Sequence, residues 1–142
     1  MNEIEIFNGT QLALIANGLY LVTFSALVFI TFRLIRFQRE NHANTFGKIL
    51  VTIFGLCTTF YGYTVFSYLR NIQLGQSYRL STLQENGVEL SPWAQSIVDF
   101  TQYTVQDGLP LPFSPEPAAV VFVATFAIMI IAGVWLNLSK LE

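Results

Sequence analysis

At 142 residues, 53% hydrophobic and only 11% charged, the chain is too apolar for a soluble domain, in which about a quarter of residues usually carry charge. The formal charge of −2 gives no drive toward nucleic acid, and the lone cysteine, Cys57, cannot form an intramolecular disulfide.

Three stretches, Leu12 to Phe32, Ile49 to Leu69 and Ala118 to Leu138, contain no Asp, Glu, Lys, Arg or His. Each is long enough to cross a hydrocarbon core of about 30 Å at about 1.5 Å of helix rise per residue. The expected fold is therefore an all-α integral membrane protein. It has three transmembrane helices plus an amphipathic helix in the long loop between helices 2 and 3.

Residues 1–10 read as a tail on the non-cytoplasmic side. Glu3 and Glu5 replace the basic start of a secretory signal peptide, so none is expected. Residues 11–37 form transmembrane helix 1 with a basic extension, and Asn8 or Thr10 is the expected cap. Asn17 is the one amide inside a span, so it should face another helix and hydrogen-bond there. Gly18 and Ser25 share a small-residue stripe with it. Beyond the apolar turns, Arg33, Arg36 and Arg39 recur every third residue. They are placed for lipid headgroups, or for the acidic surface of a partner subunit.

Residues 38–47 form a short loop and 48–70 transmembrane helix 2. Thr52, Gly55, Thr59 and Gly62 line one face of it, and such small side chains let another helix approach closely. Around them stand Phe54, Phe60, Tyr61, Tyr63, Phe66 and Tyr68. Rings of this kind usually face lipid or the interfacial belt. No cofactor is required by any motif, but Phe54, Tyr61 and Phe66 offer flat surfaces to a chlorophyll, a carotenoid, a quinone or a structural lipid.

Residues 71–117 form a loop opposite the basic one. Its first part, to Asn86, extends helix 2 outward, with Leu80 and Leu83 as contacts and Gly87 as the stop. An amphipathic helix follows at about 91–106, capped by Ser91 with Pro92 in its first turn and stopped by Asp107-Gly108. Trp93, Ile97, Phe100 and Val105 form its apolar face, which needs the membrane interface or a partner to cover it. A proline-rich connector, 109–117, leads to transmembrane helix 3 at 118–138, where Ala118, Thr125 and Ala132 make a further small-residue stripe. The tail is 139–142.

Arg33, Arg36, Arg39 and Lys48 stand against Glu40 alone in the 33–48 loop, whereas Glu85, Glu89, Asp99, Asp107 and Glu116 outnumber Arg70 and Arg79 in the long one. By the positive-inside bias, the N terminus and long loop lie outside or in a lumen, and the short loop and C terminus lie on the cytoplasmic or stromal side. A bacterial inner, thylakoid or other organellar membrane would suit this arrangement. Asn8-Gly9-Thr10 and Asn137-Leu138-Ser139 match the glycosylation acceptor pattern only by chance, because both abut a span.

Motifs for chemistry are scarce. The one histidine, His42, falls in the basic loop, too few for a zinc or bis-histidine haem site. No span carries the ionisable group that ion and proton pathways usually use. The expectation is thus a non-catalytic accessory subunit of a larger membrane complex, bioenergetic or photosynthetic, with the lipid bilayer and other integral membrane subunits as partners. The alternative is a homo-oligomeric, holin-like pore lined by Asn17, Ser25, Thr52 and Thr59.

Overall fold

The computed structural model describes residues 2–110 and 114–136. Among these, the chain forms α1 (Glu3–Glu40), α2 (Thr45–Glu85), α3 (Pro92–Thr101), a short 3-10 turn (Val105–Asp107) and α4 (Pro117–Trp135), with no strand. Three of the helices, α1, α2 and α4, are long and apolar enough to cross a membrane. The tail 139–142, the last residues of the expected third span, its Asn137 sequon and the middle of the proline-rich connector lie outside the described residues.

The helix ends follow from local hydrogen bonding. α1 begins well before Asn8, because Asn2 and Glu5 cap each other: the Asn2 N–H donates to Glu5 Oε2 (3.0 Å) and the Glu5 N–H to Asn2 Oδ1 (2.9 Å). Residues 3–10 are therefore helix rather than tail, and Thr10 bonds back to the Ile6 carbonyl instead of capping. α1 stops at a Schellman turn in which the Ala43 N–H reaches the Gln38 carbonyl and the His42 N–H reaches that of Arg39. Its left-handed position, usually glycine, is His42 (φ 48°). Asn44 then caps α2 by accepting from the Gly47 N–H at 2.9 Å, which shortens the expected 38–47 loop to four residues, Asn41 to Asn44. α2 continues outward as expected and stops at Gly87 (φ 81°), with the Val88 N–H on the Leu83 carbonyl.

The chain divides into two compact units. One comprises Met1–Leu19 and Phe66–Pro115. Its core is Ile6, Leu80, Leu83, Ala94 and Val98, with Phe7, Leu90 and Ile97 packed against it. Ser91 caps α3 as expected, accepting from the Ala94 N–H at 3.3 Å, and Pro92 occupies the first turn. α3 is shorter than the expected 91–106, because Gln102 turns left-handed (φ 53°) and ends it. Two buried serines one turn apart on α2 then hold the chain that follows. Ser77 Oγ donates to the Tyr103 carbonyl (2.7 Å) and accepts from Thr101 Oγ1, while Ser81 Oγ accepts from the Val105 N–H (3.1 Å).

The other unit comprises Tyr20–Val65 and Glu116–Glu142, and its described part is a three-helix bundle. Phe24 meets Gly62 and Thr31 meets Thr58, so α2 runs antiparallel to α1 here. Phe24 meets Phe122, Phe32 meets Phe126 and Ile35 meets Gly133, so α4 runs parallel to α1. Ile35, Phe126, Ile130 and Val134 form a buried cluster flanked by Val28 and Val51. Phe24, Phe32, Phe122 and Phe126 join in edge-to-face contacts with centroids 5.7–6.4 Å apart.

Candidate functional site

The basic end of the three-helix unit brings chemistry-bearing residues together. The Schellman turn reverses the chain at His42, and the Asn44 cap starts α2 at once. This sets Arg39, His42 and Lys48 beside the end of α4. With Gln38, Ala43, Val134, Trp135 and Leu136 they line a cleft of about 330 Å³.

The cleft walls are fixed by specific bonds. An Arg39 guanidinium N–H donates to the Leu136 carbonyl, tying the end of α1 to the end of α4. The Trp135 indole N–H donates to Thr52 Oγ1 (3.1 Å), and Lys48 Nζ lies 5.9 Å from the centroid of the Trp135 ring, in cation–π range. Arg36 is engaged elsewhere: its Nε donates to Glu40 Oε1 at 2.7 Å. Glu40 thus neutralises Arg36, and no described carboxylate lines the cleft. Gln38 is only 4% exposed, and its Oε1 accepts no hydrogen bond from any described residue.

The expected packing residues divide into two groups. Gly55 and Gly62 are true notches: a Cβ on Gly55 would stand 2.7 Å from Ile130 Cγ2, and one on Gly62 would overlap the Phe24 ring. Thr52 holds Trp135, and Thr59 bonds to its own helix at the Gly55 carbonyl. Ser25 and Thr125, by contrast, are exposed and bond to Leu21 and Val121 of their own helices. Gly18 has nothing within 4 Å of where a Cβ would sit, and Ala132 is half-buried. The stripe Ala118, Thr125, Ala132 is therefore not the packing face of α4. Val123, Phe126, Ile130 and Val134 are the buried face, with Ile130 filling the notch that Gly55 of α2 leaves open. Asn17 is 3% exposed as expected of a helix contact, yet neither amide atom has a hydrogen-bond partner among the described residues.

α3 also differs from expectation. It packs on its own chain, through Ala94 and Val98 against Ile6, Leu80 and Leu83. Of the face assigned to lipid or a partner, Ile97 joins that core and Trp93 stacks on Phe7 (centroids 5.0 Å, planes 1° apart). Trp93 remains 65% exposed and Phe100 90%. Arg33 and Arg36 are exposed on α1, and Phe54, Tyr61 and Phe66 are each half-buried on α2.

Sequence reasoning missed Thr31, Thr58, Ser77, Ser81 and Gln38, all buried polar residues. Their signal was weak, because a hydroxyl in a helix can satisfy itself on the preceding turn, as Thr31 does on the Leu27 carbonyl (2.7 Å). A second cleft of about 330 Å³, lined by Ser81, Gln84, Glu85, Thr104 and Gln106, lies in the α3 unit. Among the described residues no group of three His, Cys, Asp or Glu could hold a metal ion. No protein-family model, curated protein or solved structure gives a significant match to this chain.

Proposed function

We propose that this protein is a non-catalytic accessory subunit of a larger membrane complex, of bioenergetic or photosynthetic type, which stabilises assembly through helix packing. The observation that carries the reading is the apolar surface its own fold leaves uncovered. In the most apolar windows, only 11% of α1 and 22% of α2 and of α4 is buried. Leu12, Ile15, Leu19, Val22, Phe29, Phe60, Val121 and Ile128 are all exposed. Such a surface needs lipid or neighbouring membrane helices around it. On α3, Phe100 and Trp93 are exposed as well.

The pore reading draws less support. Of its four lining residues, Asn17 is buried, Thr52 is engaged by Trp135 and Thr59 is half-buried; only Ser25 is exposed. Extraction from the native membrane in mild detergent, followed by a native gel with mass and absorbance of the band, tests the proposal. A large band with other subunits is expected, and visible absorbance in it would add a pigment contact at Phe54, Tyr61 or Phe66. A monomer or a small homo-oligomer would overturn the accessory reading.

A further inference from the structure

The cleft at the basic end of the three-helix unit is amphipathic. Arg39, His42 and Lys48 supply cationic or polar groups, while Trp135 and Leu136 supply an apolar wall. Its depth is legible from the helices that form it. Lys48 immediately precedes the apolar stretch of α2, and Trp135 ends α4. Arg39 lies seven residues past Phe32, about 10 Å further along α1 at about 1.5 Å per residue. In a bilayer these positions straddle the edge of the hydrocarbon core, about 30 Å thick, and the headgroup layer that brings the whole to about 40–45 Å. A soluble anion would have no use for the tryptophan wall, whereas an amphiphile meets both halves of the cleft. Basic pockets between helices on this side of a membrane suit lipid headgroups.

We propose that this cleft binds one anionic phospholipid through its phosphate, with phosphatidylglycerol as the probe. Arg39 and Lys48 hold the phosphate, and the Trp135 ring borders the glycerol backbone. The inference rests on the reading that α1, α2 and α4 span a membrane.

The full chain, purified in mild detergent, is offered phosphatidylglycerol and phosphatidylcholine in equal amounts, and lipid retention is read by native mass spectrometry. Preferential retention of a single phosphatidylglycerol is expected. At about 1 kcal/mol per basic residue, the Arg39→Gln/Lys48→Gln double variant should lose about thirtyfold in apparent affinity, and each single variant about fivefold. Arg33→Gln, which removes one unit of charge outside the cleft and leaves the Arg36–Glu40 pair intact, should leave retention unchanged. Arg39→Lys/Lys48→Arg should retain binding, which separates charge from misfolding. Equal retention of both offered lipids, or a loss in Arg33→Gln equal to that in the single cleft variants, overturns the site. Full displacement of the lipid by sn-glycerol 3-phosphate overturns the lipid as the source of the phosphate. Release of the chain from membranes by alkaline carbonate defeats the membrane reading itself, whereas a chain that stays in the membrane but shows no selectivity defeats only the lipid site.

Discussion

In the unit that contains α3, aliphatic side chains and hydroxyl groups do the joining: Leu80 and Leu83 bury Ala94 and Val98, and Ser77 and Ser81 hold the chain that follows α3 by its backbone. In the three-helix unit the joints are steric, with Ile130 in the Gly55 notch, Phe24 in the Gly62 notch and Ile35 against Gly133. The difference matches the two solvents that the proposed membrane location would supply. Where water competes, burying aliphatic area stabilises by about 25 cal/mol per Å², and irregular backbone needs its polar groups paired. Where lipid surrounds the helices, apolar burial gives little, and close fit between knob and notch supplies the contact.

The largest expected effect lies in the α3 unit. Leu80→Ala should destabilise it by about 2–5 kcal/mol, since Leu80 is fully buried at its centre. Hydrogen exchange should then rise across α3 and residues 102–108 while amides of the three-helix unit stay protected. A uniform rise over the whole chain would erase the distinction between the units. Next comes Gly62→Ala, whose new methyl group meets the Phe24 ring; about 1–3 kcal/mol should be lost in detergent unfolding. Pairing it with Phe24→Leu should recover part of that loss, and failure to recover any would argue against a steric notch.

Smaller still is Ser77→Ala. Removing the hydroxyl leaves the Tyr103 carbonyl without its donor, while the Thr101 hydroxyl keeps the Ile97 carbonyl (2.9 Å), and this should destabilise by about 1–2 kcal/mol. Thermal unfolding of Ser77→Ala beside Ser25→Ala sharpens the comparison, because Ser25 is exposed and bonds only within its helix. Equal shifts in the two variants would deny Ser77 its role in holding the loop. The smallest effect belongs to Phe100→Ser, within about 0.5 kcal/mol for the isolated protein, given its exposure. If the chain is the accessory subunit proposed above and α3 faces a neighbour, the same change should weaken co-purification of that neighbour.

Some local features were legible in advance because they depend on neighbours in sequence. The Ser91 cap, Pro92, the Gly87 stop and the outward extension of α2 all depend on residues within one turn. The Asn2–Glu5 box was equally local, but attention to where the apolar stretch begins placed the start of α1 too late. The α3 contact was harder to foresee: Ala94 and Val98 are small beside Trp93 and Phe100, so the apolar arc of α3 pointed to its largest side chains rather than to the pair that packs. The basic cleft could not be read from spacing at all. Gln38, Lys48 and Trp135 belong to three different helices, and only the His42 turn and the parallel course of α1 and α4 bring them together.

The sequence by itself determined the all-helical class, the three helices long and apolar enough to cross a membrane and the concentration of basic residues between the first two, because hydropathy, capping and charge are properties of short stretches. Only the tertiary structure decided which glycine receives which side chain, that α4 packs by its large residues, and that Arg39 and Lys48 share a cleft with a buried Gln38. The physical reason is degeneracy. Around a membrane-type helix every apolar face is nearly as comfortable against lipid as against another helix, so the pairing is settled by shape complementarity between residues far apart in the chain.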